Sequence, residues 1–414
     1  MRFLLATTGG TGHLTPMLPF AHALERAGHD VLVAGSGSAG TLARREGLAY
    51  RALAEPVPSD LDAVHERLRS LSNDDAAEPA IQDMFVRTYA AAALPDMFRL
   101  VKSWRPHVVL RESTEFASCL AAERCGVPQA RIGFALSAAN EDWILALAAP
   151  ALDELRERLD MPPDPHAARM RATLCLTQSP RLMDVPGGNE LSRVGRYRAE
   201  PEETPAELPD WWNGSADPLV YLSFGTVLPQ DSYPEMYRAA IDALDGLSIR
   251  LLVTIGRGQD PAQLGELPPW VHVEEWVPQA AVMPHAQAMV GHGGAGTTLA
   301  ALAGGVPTVF LPVFADQPIN AARVAEFGAG LALDMTPAGL DRLGSSVREL
   351  LEDPRYHAAA REVADEIASL PLVDESVELI EALSAERWGT GPRDTASYEA
   401  RGDDRHFLQG GLVR

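Results

Sequence analysis

Apolar residues along this chain fall into two alternating rhythms. Short runs are apolar at nearly every position, at 3–6, 30–34, 106–110, 129–132, 174–176, 219–224, 250–255 and 308–311. Runs of that length and composition are what strands buried on both faces look like. Between them, apolar residues recur every three or four positions, as in Leu14, Leu18, Ala21 and Leu24. That spacing predicts helices over 14–27, 81–104 (broken near Pro95), 114–125, 141–159, 232–244, 337–351, 354–370 and 373–385. Strand alternating with helix predicts an α/β protein with parallel sheets. The rhythm runs twice. The interruption at 198–218 is dense in Glu and Pro, then holds Trp211-Trp212-Asn213-Gly214. We therefore expect two doubly wound, Rossmann-like domains at 1–200 and 218–370, a linker at 201–217, a terminal helix at 371–386 and an unstructured tail at 387–414. Residues 55–79, rich in Pro, Asp and Ser, read as an irregular loop shaping a ligand pocket. On the helix at 141–159, Trp143, Ile144 and Leu147 read as acceptor-facing or core, mostly core.

Composition narrows the function. The chain has 414 residues, 46% hydrophobic content and a net charge of −22. So acidic a surface argues against nucleic acid and anionic membranes as partners. No apolar run is long enough to span a bilayer, and Met1-Arg2 leads straight into a strand, with no signal peptide. Cys119, Cys125 and Cys175 show neither metal nor disulfide spacing, which fits a reducing, cytoplasmic setting. Lys102 is the only lysine, which excludes P-loop chemistry.

The candidate chemistry concentrates at 289–333. Met289-Val290 enters Gly291-His292-Gly293-Gly294-Ala295-Gly296-Thr297-Thr298, then an Ala/Leu helix, a strand at 308–311 and Asp316-Gln317. Glycines let backbone approach a ligand, and the free N–H groups of a helix starting near Gly296 and Thr297 make an anion site without a lysine. His292 can donate a further hydrogen bond. Asp316 and Gln317 pair an acid with an amide, which suits sugar hydroxyls that donate and accept. Upstream, Trp276 follows a strand at 271–275. Its indole can lie flat under a pyrimidine, while the Val277 backbone reads the base edge.

These residues carry a resemblance. Trp276-Val277-Pro278-Gln279, then His292-Gly293-Gly294-Ala295-Gly296-Thr297, then Asp316-Gln317 is similar to the nucleotide-sugar signature of the UDP-glycosyltransferase-like superfamily. The nearer likeness is to bacterial enzymes that glycosylate polyketides and other natural products. The resemblance implies the GT-B fold: two Rossmann-like domains across a cleft, the last helix crossing back to the first. It also implies donor contacts from Gly12, Thr226, Trp276, Val277, Gln279, His292, Gly294, Gly296, Thr297, Asp316 and Gln317. The donor would be a TDP-deoxysugar, with UDP-glucose second. The acceptor would be a small hydrophobic aglycone, the enzyme a monomer or homodimer, with no cofactor and no metal.

In the first domain the turn Thr7-Thr8-Gly9-Gly10-Thr11-Gly12-His13 follows the first strand, placing His13 at a sheet rim. The resemblance implies that this histidine is the catalytic base. Its acidic partner would come from the strand exit Arg111-Glu112-Ser113, where the family usually has aspartate and this chain has Glu112; Glu115 is the nearby competitor. A dinucleotide site is the rival reading of Gly9-x-x-Gly12. It lacks the third glycine, which is replaced by Thr15, and the second strand ends in Gly35-Ser36-Gly37 without an acid for a ribose. Asp60-Leu61-Asp62 has the spacing of a metal-binding pair, but no strand precedes it. Two other functions compete: a non-catalytic auxiliary protein, which should have lost the donor signature, and a lipid-linked N-acetylglucosaminyltransferase, which should carry a basic docking patch.

Overall fold

The computed structural model describes residues 1–71, 73–185, 191, 193–200, 208–212, 214–225 and 233–385. Thr226, the stretch 201–207 and the tail 387–414 lie outside the described residues.

Two parallel sheets organise the chain. The first holds β1 (Arg2–Ala6), β2 (Asp30–Gly35), β3 (Tyr50–Ala52), β4 (Val108–Glu112), β5 (Gln129–Gly133), β6 (Leu174–Thr177) and β7 (Val194–Arg196), in the order β3-β2-β1-β4-β5-β6-β7. The second holds β8 (Leu219–Ser223), β9 (Arg250–Thr254), β10 (Val271–Glu274), β11 (Ala286–Gly291), β12 (Thr308–Phe310) and β13 (Gly330–Ala332), in the order β10-β9-β8-β11-β12-β13. The apolar runs become strands because helices cover both faces. In β1, Leu4 and Ala6 join one core while Phe3 and Leu5 join the other. In β8, Val220 and Leu222 face one way, Leu219 and Tyr221 the other. The order of each sheet reverses once, between β1 and β4 and between β8 and β11. Open α/β sheets bind ligands beyond the carboxyl ends of such strand pairs.

After the second sheet the chain returns to the first. Val373, Val377, Ile380 and Leu383 pack in the core that holds Phe3, Leu5, Leu14 and Phe20. Arg26 reaches Asp374 through two hydrogen bonds of 2.9 and 2.6 Å.

Two expectations are corrected. Residues 55–79 are largely helical, as Pro58–Arg69 and Asn73–Pro79. Pro58 is tolerated in the first turn, Asp60 stands near the positive end of the dipole and Arg67 and Arg69 near the negative end. Leu61, Val64 and Leu68 form its partly buried stripe, a three-four spacing that the Pro- and Asp-rich composition obscured. The helix at 81–104 is not broken at Pro95: π-helical Ala80–Ala90 runs straight into α-helical Ala91–Trp104. A proline ring clashes with the carbonyl four residues back, so its distortion falls on the preceding turns. Of the three residues marked on the helix at 141–159, Ile144 is core and Leu147 packs partly buried against that core, while Trp143 is 38% exposed.

Candidate active site

The exits of β1 and β4 meet at the first reversal. β1 ends in a turn whose Gly10 has φ 91 and hands over to the short helix Thr11–Leu14, carrying Gly12 and His13. β4 ends at Glu112, which is fully buried. The structure brings these together: His13 Nδ1 lies 3.3 Å from Glu112 Oε1 and 3.3 Å from Thr114 Oγ1. Glu112 is held from all sides. Thr8 donates its N–H at 3.2 Å and its hydroxyl at 2.7 Å to Oε1, and Thr114 donates its N–H to Oε2 at 2.6 Å. Burial alone would raise the Glu112 pKa, but the His13 charge and these donors pull it below the ordinary value. Burial likewise pushes His13 down, and the Glu112 carboxylate, with a smaller pull from Asp316, reverses this to a net rise. With Nδ1–H directed at the anion, Nε2 is left as the acceptor.

Thr8 and Thr114 were not marked by the sequence as part of this pair. Nor were the aromatics beside the base. Phe134 lies 5.4 Å from the His13 ring, edge on, and Phe85 lies 5.7 Å from it. Phe85 stacks on Tyr89 at 6.2 Å. The turn bearing Phe134 is fixed from below, where Ser113 Oγ donates to Glu141 at 2.8 Å and Ala135 N–H donates to the same carboxylate at 2.9 Å. Glu115, the competitor for the histidine, is turned elsewhere: it accepts from Ser118 N–H at 3.0 Å.

The second reversal builds the other half. β11 delivers His292 into the gap between two glycine turns. A Cβ on Gly225 would stand 2.7 Å from the imidazole, and one on Gly294 would collide with Nε2. Burial pushes His292 down to about 4, against a weaker upward pull from the Ser223 backbone. It is therefore a neutral ring. Gly293, at φ 89, passes so close to the start of the helix Gln317–Phe327 that a Cβ would meet Gln317 O at 2.7 Å. Gly294 caps the helix Ala295–Ala303 without any side-chain hydrogen bond, and around Gly296 there is open space. The first-turn N–H groups are thus available to an anion. Gln279 donates to Thr297 Oγ1 at 3.3 Å, linking two expected donor residues.

Asp316 stands at the N-cap of Gln317–Phe327, aimed by Ala315 at φ 59. A left-handed alanine is strained, which is common where a turn must point a functional group. Burial raises the Asp316 pKa, opposed by Asn320, which donates to its Oδ2 at 2.8 Å. Asn320, fully buried and missed from sequence, also donates to Gly293 O at 2.9 Å, so it ties the acid to the glycine turn. Its position one helical turn after Asp316 was the available signal. Gln317 spends its carbonyl oxygen on Val313 and Phe314 N–H groups at 2.8 and 3.1 Å, leaving its amide N–H groups for a ligand. Trp276 is 46% exposed, and the Arg257 guanidinium lies 4.2 Å from its ring centre. Val277 is partly buried beside it. Thr226 lies outside the described residues. Asp60 and Asp62 are exposed on a helix, and no cluster of metal-ligating side chains occurs among the described residues.

Two parallel-sheet domains, with a histidine–carboxylate pair at one reversal and a glycine-turned helix terminus at the other, define a GT-B glycosyltransferase. The chain belongs to the erythromycin biosynthesis protein CIII-like family, matching its N-terminal domain over residues 22–218 and its C-terminal domain over residues 238–383. It is 33% identical to L-demethylnoviosyl transferase of Streptomyces niveus, over 95% of this chain and 100% of that one. Among solved structures it resembles the glycosyltransferase SnogD of Streptomyces nogalater, with a TM-score of 0.70 and 26% identity over 93% of this chain and 99% of that one. Similar too is glycosyltransferase SsfS6 of Streptomyces sp. SF2575 in complex with thymidine diphosphate, with a TM-score of 0.71 and 26% identity over 92% of this chain and 99% of that one. No helix among the described residues is long and apolar enough to cross a membrane.

Proposed function

We propose that the protein transfers a deoxysugar from a TDP-sugar, with inversion and without a metal ion, to a hydroxyl of a small hydrophobic natural-product aglycone in the cytoplasm. Residues 1–200 bind the acceptor and residues 218–370 the donor. His13 Nε2 takes the proton of the acceptor hydroxyl, whose oxygen attacks the anomeric carbon from the face opposite the diphosphate. The bond to the diphosphate breaks and its electron pair leaves with the nucleotide. Glu112 keeps the imidazole oriented and stabilises the imidazolium. The N–H groups of Gly296 and Thr297, with the neutral His292 as a further donor, meet the charge that grows on the leaving group. Asp316 and the Gln317 amide hold sugar hydroxyls. Trp276, Val277 and Gln279 hold the nucleoside.

The observation that carries this reading is the His13–Glu112 contact of 3.3 Å, on a rim where Asp316 of the second sheet also acts on His13. TDP is preferred to UDP with the support of the similar SsfS6, whose structure was solved with thymidine diphosphate. The test is turnover of His13→Ala with a hydroxyl acceptor in EDTA-containing buffer. It should fall ~10²–10⁴-fold while calorimetric TDP affinity stays near wild type. Near-wild-type turnover would remove His13 as the base, and abolition of wild-type turnover by EDTA would bring a metal back.

A further inference from the structure

Arg257 leaves the end of β9 in the loop Gly256-Arg257-Gly258. That loop is strung between the two sides of the donor half-site. Gly256 N–H donates to Glu275 O at 3.0 Å, next to Trp276, and Gly258 N–H donates to Glu275 Oε2 at 3.1 Å. On its other side Gly256 faces the turn after β8, where a Cβ would stand 3.7 Å from Gly225 O. The arginine stem thus starts between the indole and the glycine turns that pack on His292. Its guanidinium lies 4.2 Å from the centre of the Trp276 ring, a separation that leaves no space for a base between them. On that face, arginine and base exclude one another.

The charge inventory says what the arginine can do instead. The segments following the six strands of the second sheet are 224–234, 255–260, 275–279, 292–298, 311–320 and 333–336. They contain no lysine and no arginine besides Arg257. His292 is the other basic side chain there, and burial keeps it neutral. In a chain of net charge −22, Arg257 is the permanent cation that these segments offer to an entering diphosphate. A guanidinium pairs with phosphate oxygens through two directed hydrogen bonds, and that pairing outcompetes an exposed cation–π contact.

We propose that Arg257 is a donor-binding residue that changes partners. It rests on Trp276 in the free enzyme and turns to the diphosphate when the nucleotide enters, freeing the indole face for the base. This inference rests on the reading of the cleft as a nucleotide-sugar site. One movement then couples recognition of the two ends of the nucleotide: a nucleoside without phosphates gives the arginine no reason to leave, so it must compete for the indole.

Calorimetric titration of the wild type, Arg257→Ala and Arg257→Lys with TDP and with thymidine tests this. Arg257→Ala should bind TDP about ten- to a hundredfold more weakly, while thymidine binds as well as to the wild type or better. Arg257→Lys should recover part of the TDP affinity, together with its dependence on salt. Equal losses for TDP and thymidine would overturn the proposal and leave Arg257 as a clamp on the indole. Unchanged TDP affinity in Arg257→Ala would also overturn it, with the site reading intact. A wild type that binds neither TDP nor UDP would remove the nucleotide-sugar reading itself, and this proposal with it.

Discussion

Protonation of a single ring links pH to the proposed reaction. The base must be neutral to accept a proton, and Glu112 holds the His13 pKa above the ordinary 6.5. The acidic limb of the kcat/KM profile should therefore lie above 6.5, with activity lost as pH falls through it. Replacing Glu112 with Gln removes the charge that raises His13 and leaves the burial that lowers it. The limb of Glu112→Gln should move to lower pH while its plateau drops, because the imidazolium loses its counter-charge. A pH–rate profile with an unmoved limb would show that the 3.3 Å contact does not govern the base. The pairing partner itself was legible as an acid at a strand exit. Thr8 and Thr114, which keep that acid ionised, were not: Thr8 reaches it from a turn 104 positions away, and Thr114, two positions on, depends on how the chain turns after the strand.

Between residue and domain, individual elements depend on groups at their ends. Thr336 accepts from Gly339 N–H and Asp353 from Arg355 N–H, and both precede a proline, so these two helix starts can be read in the sequence. The helix Ala117–Cys125 is different. Glu115 sits before it, 3% exposed, accepting from Ser118, and burial pushes its pKa from 4.5 to about 7. A carboxyl with a raised folded-state pKa binds its proton more tightly in the native state. Its stabilising effect is full below 4.5 and is lost as pH rises through 7, by ~3 kcal/mol across the window. Glu115→Gln keeps an accepting oxygen and cannot ionise. Denaturant titrations between pH 4.5 and 7.5 should show the wild type losing stability relative to this variant; parallel curves would mean that Glu115 is already ionised in the fold.

At the scale of the molecule, one turn is a main grip between the domains among the described residues. Arg181–Met183 of the first domain projects onto two helices of the second. Arg323 donates to Met183 O at 3.1 Å and to Leu182 O at 2.7 Å, while Glu366 accepts from the Arg181 and Leu182 N–H groups at 2.8 and 2.9 Å. Leu136 and Met183 complete the contact among Leu302, Phe310, Val324 and Val363. Arg323 lies on the same helix as Gln317, so this grip sets how the donor half faces His13. Losing a hydrogen-bonded charge costs ~1.5–3 kcal/mol. Arg323→Ala should lower kcat about tenfold and leave TDP affinity nearly unchanged, since the expected donor contacts other than Gly12 sit in the second domain. Equal loss of TDP binding would place the effect within that domain instead.

The sequence by itself determined the architecture and marked the candidate residues at each end of the cleft. Apolar runs buried on both faces carry their own signal, as do glycine turns at helix starts, because both depend on neighbours within a few residues. His13, His292 and Asp316-Gln317 stand out for that reason. What only the tertiary structure decided is what surrounds them. Short edge strands such as β3 and β13 form through pairing, and the helices of 55–79 escaped a composition that reads as loop. Phe85 and Phe134 converge on His13 from segments far apart in the chain, and Arg257 lies on Trp276 because β9 and β10 are neighbours in the sheet. Contacts between distant segments depend on strand order, and strand order is set by how the helices pack, which no local spacing records.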